Sequence, residues 1–110
     1  MAERKKSPPP HRDTKTPKLK TPPGATDTHF HLYGPGKRFP YHPDSPLEVE
    51  DSTLDDMLKM HNTLGIERGV VVHSVVQGNT YEYLLHALSR EPGRLRGIAL
   101  PAPDITDQEL

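Results

Sequence analysis

The stretch GATDTHFHLYGPG, residues 24–36, sets two histidines one residue apart at the end of an apolar run, with a glycine turn just beyond. Imidazole is the commonest metal-binding side chain, and it changes charge near neutral pH. Two imidazoles on one surface can therefore hold one metal ion or polarise one carbonyl. On a regular strand, residues i and i+2 share a face. Asp27, His29 and His31 are thus expected on one side, and Thr28 and Phe30 on the other. Seven histidines in 110 residues give less than one His-x-His by chance, so the spacing alone decides little. Placement decides more. The pair sits at the carboxyl end of what reads as the first strand of an alternating α/β chain, which is where such folds bind ligands. The competing reading is two satisfied surface or core histidines.

GATDTHFHLYG reads as a strand running into a turn. GPGKRFPYHPDSPLEVED reads as a long loop, because its prolines and glycines forbid regular structure. STLDDMLKMHNTLGI predicts a helix capped by Ser52 or Thr53, with Asp55 and Asp56 favouring its first turn. Leu54, Met57, Leu58 and Leu64 fall on one face of it, and Gly65 ends it. RGVVVHSVV is a continuous β-branched run, suited to a strand covered on both faces. NTYEYLLHALSREPG predicts a second helix, with Asn79 and Glu82 at capping-box spacing and Tyr81, Leu84, Leu85 and Leu88 as its stripe. RLRGIALP predicts a third strand. DITDQEL predicts the opening of another helix, capped near Asp104 or Thr106.

The order β-α-β-α-β implies parallel pairing with right-handed crossovers. Two helices cannot cover both faces of three strands, so the run Val70–Val76 is expected to lie partly bare. A complete eightfold barrel takes roughly 250 residues. Residues 24–110 are therefore expected to be an N-terminal fragment of a larger α/β fold, rather than a complete small domain.

Residues 1–23 hold seven Lys/Arg against two acidic residues, and six of the chain's 13 prolines. They are expected to form a disordered, solubilising leader, because so little apolar area cannot offset the entropy of ordering. The leader has no aromatic residue for base stacking, which argues against nucleic acid as a partner. No apolar stretch approaches the roughly 20 residues needed to span a bilayer, so no membrane role is expected. The absence of cysteine removes disulfides and thiolate metal sites, and fits a cytoplasmic location.

PPGATDTHFHLYGP, RFPYHPD, LGIERGVVVHSVVQGN and GRLRGIALPAPDITDQEL, in this order and spacing, resemble the N-terminal third of the amidohydrolase-related family of TIM-barrel hydrolases. The likeness runs over roughly residues 22–110 and is nearest to the 2-pyrone-4,6-dicarboxylate lactonase-like branch. It implies a parallel (β/α)8 barrel, of which residues 24–110 form the first β-α-β-α-β portion. It also implies that His29 and His31 help bind one or two divalent metals, zinc or manganese. In the lactonase branch the metal is often dispensable, and the same histidines hold and polarise a lactone carbonyl. The family's later histidine, its water-activating aspartate and its substrate-gripping arginines have no counterpart in these residues. One departure concerns His73–Tyr81, where the lactonases tend to read Gln-x-Ser-x-x-Gly-x-Asp-Asn. Gly78 is kept, Val75 stands at the serine position, and Thr80-Tyr81 stand at Asp-Asn. This bears on the substrate more than on the reaction class.

The expected activity is hydrolysis of a small lactone or carboxylated cyclic ester by water attack on a carbonyl polarised by His29 and His31. The fragment alone is expected to be inactive. Two alternatives stand beside it: a metal-dependent decarboxylase of the same superfamily, and a non-catalytic piece whose basic tail binds an acidic partner. Tyr41 and His42 lie in the long loop, where they contact substrate or are ordinary exposed aromatics. His73 lines the site or faces the helix layer, and Ser74 is a further substrate-binding candidate. His61 and His86 are expected to be helix-face residues, His11 solvated, and Met57 and Met60 packing residues.

Overall fold

The computed structural model describes residues 3–110. In chain order its elements are β1 (Lys5–Lys6), β2 (Thr26–Phe30), β3 (Leu47–Glu48), α1 (Leu54–Leu64), β4 (Arg68–Val72), a 3-10 turn (Val75–Gln77), α2 (Glu82–Arg90) and β5 (Leu95–Ile98). β2, β4 and β5 form one parallel sheet with β4 in the centre. The predicted β-α-β-α-β order is therefore present from residue 24 onward.

The helices cover one face of the sheet. Val71 and Leu95 from the strands meet Leu54 and Met57 from α1 and Tyr83, Leu84 and Ala87 from α2 in a single core. Burying each large apolar side chain stabilises by about 1.5–3 kcal/mol. On the opposite face Val70 and Val72 are only half-buried, and Ile98 is 50% exposed. This face is the partly bare one that the apolar run predicts.

α1 follows its sequence closely. Thr53 caps it, and Thr53 and Asp56 form a reciprocal capping box, each side chain accepting the other's backbone N–H. Gly65 ends it in the left-handed conformation, at φ 78°, which a side chain would strain.

Two elements differ from expectation. β4 stops at Val72 instead of running through the whole β-branched stretch. Ser74 caps the turn that follows, its hydroxyl accepting the Val76 N–H, and the chain coils there. α2 starts at Glu82, with Tyr81 at its N-cap and no capping side chain, so Asn79 does not cap it. That residue is spent in the turn, where the Thr80 hydroxyl donates to the Gln77 carbonyl. The buried stripe becomes Tyr83, Leu84 and Ala87, and Leu85 is 63% exposed. Tyr83 can be buried because its hydroxyl finds a partner in His73. At the chain's end Thr106 opens a turn, its N–H donating to the Glu109 carboxylate.

Residues 4–12 of the leader run along residues 43–56, a segment rich in Asp and Glu. β1 pairs in parallel with β3. Arg4 donates to the Pro43 carbonyl, and Arg12 donates to the Asp51 carbonyl at 2.7 Å, with its Nε 3.7 Å from Asp56. Exposed ion pairs of this kind contribute about 0–1 kcal/mol.

Candidate functional site

The site begins with a defect in β2. Asp27 pairs with Gly69 and Phe30 with Val71, so one extra residue is inserted between Asp27 and Phe30. This is a β-bulge. Residues paired across strands share a face, and Val71 belongs to the helix-covered core. Asp27 and Phe30 therefore both turn toward the helices, while His29 and His31 turn to the bare face. The expectation that Asp27 joins the two histidines is corrected: the bulge breaks the alternation and moves its carboxylate to the other side. That carboxylate meets His61 of α1, with Oδ2 at 2.9 Å from Nε2.

The two histidines do come together. Their rings lie 5.3 Å apart, nearly perpendicular at 84°, and both are exposed at the carboxyl end of β2. His31 Nδ1 lies 2.8 Å from the Val72 carbonyl at the end of β4. A carbonyl only accepts, so Nδ1 carries the proton. In the neutral ring this leaves the Nε2 lone pair free, the form that binds a metal ion. His31 also borders a cleft of about 120 Å³, whose wall includes Phe30, Ser52, Met57 and leader residues 10–12.

The pair offers a divalent ion two imidazoles at most. Zinc in catalytic sites takes three protein ligands. Among the described residues no group of three or more His, Asp or Glu converges to hold an ion.

The other candidates lie elsewhere. The Tyr41 hydroxyl donates to Asp51, whose same oxygen accepts the Gly36 N–H at 3.1 Å. Burial, with the Asp51 contact next, pushes this hydroxyl well above the ordinary tyrosine range. Tyr41 thus braces its own loop, which is closed at its neck by the Tyr33–Ser52 backbone pair. His42 ties that loop to the 3-10 turn, its N–H donating to the Val76 carbonyl at 2.8 Å.

His73 is buried on the helix side. Its Nε2 donates to the Gly78 carbonyl, so its Nδ1 accepts from the Tyr83 hydroxyl, at 2.9 Å. With both nitrogens engaged, it holds α2 to the strand end. Ser74 is buried as the cap of the turn. Neither is brought to the His29–His31 pair. Sequence reasoning passed over Asp51, and read His61 as a helix-face residue without a partner. His61 lies in step with Leu54 and Met57 on the buried stripe of α1, a spacing that marks it for burial.

The Amidohydrolase family profile matches residues 26–110. The chain is 40% identical over 89 residues to a 4-sulfomuconolactone hydrolase from Hydrogenophaga intermedia, covering 81% of this chain and 29% of that protein. It is 33% identical over 94 residues to a 2-pyrone-4,6-dicarboxylate hydrolase from Comamonas testosteroni, covering 86% of this chain and 31% of that protein. The chain thus spans about a third or less of the curated relatives it matches. A crystal structure of a probable 2-pyrone-4,6-dicarboxylic acid hydrolase from Acinetobacter baumannii superposes with a TM-score of 0.68 at 22% identity. That match covers 78% of this chain and 32% of the other. The parallel β-α-β-α-β unit is accordingly a portion of a TIM barrel, and the chain belongs to the amidohydrolase family.

Proposed function

We propose that this chain provides the carbonyl-activating end of a lactone hydrolase, acting on a small, carboxylated cyclic ester. The observation that carries the reading is the His29–His31 pair, converged at 5.3 Å on the open face at the strand's carboxyl end. The lactonase relatives support the reaction class. In the reaction, water adds to the lactone carbonyl and the ring C–O bond breaks. The carbonyl carbon becomes a carboxylate, and the leaving oxygen takes a proton.

The orientation of His31 bears on how the carbonyl is activated. With Nδ1–H donated to Val72, a neutral His31 offers only a lone pair at Nε2 and cannot donate a hydrogen bond to a carbonyl. Direct polarisation therefore requires the imidazolium, whereas ligation of a divalent ion requires the neutral ring as it stands. The geometry favours a metal-assisted route, with His29 and His31 as two of the ligands. A zinc or manganese ion bound there supplies Lewis-acid polarisation and a more acidic water. The chain's own part is to present two imidazoles at fixed separation and to keep the His31 ring in one tautomer.

The test is a chimera in which residues 24–110 replace the matching segment of a 4-sulfomuconolactone hydrolase. Lactone turnover is expected in the chimera and is expected to fall at least about 100-fold with His31→Ala, the loss typical when one transition-state-stabilising group is removed. A folded chimera without turnover, or one indifferent to His29 and His31, overturns the proposal. The isolated chain is expected to show none.

A further inference from the structure

His61 is 0% exposed, yet it carries two polar nitrogens into the layer between α1 and the sheet. Nε2 meets Asp27 Oδ2 at 2.9 Å, and Nδ1 is buried without a hydrogen-bond partner. Burying such an imidazole is costly, and an apolar side chain of similar volume often stabilises more. Its contacts indicate what it does instead. The second Asp27 oxygen, Oδ1, accepts the backbone N–H of His29 at 3.2 Å. The Phe30 ring packs edge-on against the His61 ring at 5.2 Å and 89°. Phe30 also lies over Gly69, where any Cβ would come within 2.6 Å of it. His61 therefore touches both flanks of the bulge, and Asp27 links it to the backbone of the first histidine.

We infer that His61 is a positioning residue: acting through Asp27, it locks the β2 bulge that turns His29 and His31 together onto the open face. Without the bulge, strict alternation would return Asp27 to the histidine face and change how the strand enters its turn. Conformational definition at the site is what offsets the cost of the buried imidazole and its part-exposed carboxylate. The inference rests on the proposed role of His29 and His31, so its test separates the two.

The experiment compares the wild-type chain with His61→Leu, His61→Gln and His61→Asn. Glutamine reaches as far as Nε2 and can donate to Asp27, whereas asparagine is too short. Amide hydrogen exchange at His29 reads the lock directly, and exchange at Val71 reports the core. Protection of His29 is expected to fall at least about tenfold in His61→Leu, with Val71 unchanged, a tenfold change being about 1.4 kcal/mol. His61→Gln is expected to keep it. Should His61→Leu lose protection at Val71 as well, the comparison of glutamine with asparagine decides, with asparagine expected to lose His29 protection and glutamine to retain it. Equal protection at His29 in those two variants overturns the inference. Cobalt(II) titration of the same proteins reads the site, and affinity is expected to drop about tenfold with the lock broken, as when a group that orients a metal-binding histidine is lost. If the wild-type chain binds no cobalt, the metal reading of the histidines fails, while the exchange data still decide the role of His61.

Discussion

His31 and Val72 are joined side chain to backbone, Nδ1 to carbonyl oxygen at 2.8 Å, across the neighbouring parallel strands β2 and β4. The bond fixes the ring's tautomer and aims Nε2 away from the sheet. Asparagine carries an N–H near the place of Nδ1 and nothing at Nε2. His31→Asn should therefore keep stability within about 0.5 kcal/mol, as for most surface changes. Zinc affinity should fall at least about tenfold. Calorimetric titration beside a urea melt separates the two effects, and unchanged affinity would remove His31 from the ligand set.

Signals confined to a few neighbouring residues were legible in the sequence. Thr53, Asp56, Leu54, Met57 and Gly65 lie within one helix and state its start, face and end without help from elsewhere. The shared face of His29 and His31 needed only a strand's two-residue period. Asp27 was misplaced because the bulge depends on β4, where Gly69 leaves room for the Phe30 ring. His73 was ambiguous for a similar reason. Only the fold brings Tyr83 to its Nδ1 and the Gly78 carbonyl to its Nε2. The end of β4 turned on one hydroxyl, that of Ser74, competing with five β-branched residues.

The caps of α1 give a prediction independent of function. Thr53→Ala removes the acceptor for the Asp56 N–H and should cost about 1 kcal/mol. Gly65→Ala places a side chain in the left-handed region, at about 1–2 kcal/mol. It also brings a Cβ to within 2.4 Å of the Thr21 hydroxyl. The glycine change should be the larger in chemical denaturation, and the reverse order would mean that Thr21 yields freely.

Asp51 holds the loop over residues 34–51, accepting from both the Tyr41 hydroxyl and the Gly36 N–H. Asp51→Ala leaves a part-buried hydroxyl without its acceptor, a cost of about 1–3 kcal/mol. The loss should appear as local opening before global unfolding. Lys37 and Arg38 lie inside the loop and offer trypsin its sites. Cleavage there should quicken about tenfold, since a tenfold change in opening corresponds to about 1.4 kcal/mol. An unchanged rate would show that the Tyr33–Ser52 neck alone closes the loop.

Tyr83 gives a pH prediction whose sign follows from burial. Its hydroxyl is pushed up to about 12, chiefly by desolvation, with a backbone hydrogen bond from Ser74 opposing the shift. An unfolded tyrosine ionises near 10. Below that pH both states are protonated and the stability is fully present. As pH rises from about 10 to 12 the unfolded chain loses its proton first, and stability falls. Tyr41, shifted in the same direction, adds to the decline. Urea midpoints should therefore hold level between about pH 7 and 9 and drop steeply above 10. Tyr83→Phe should start lower, because His73 Nδ1 loses its donor, and should then decline less steeply. An equally steep decline in Tyr83→Phe would assign the alkaline loss to other groups.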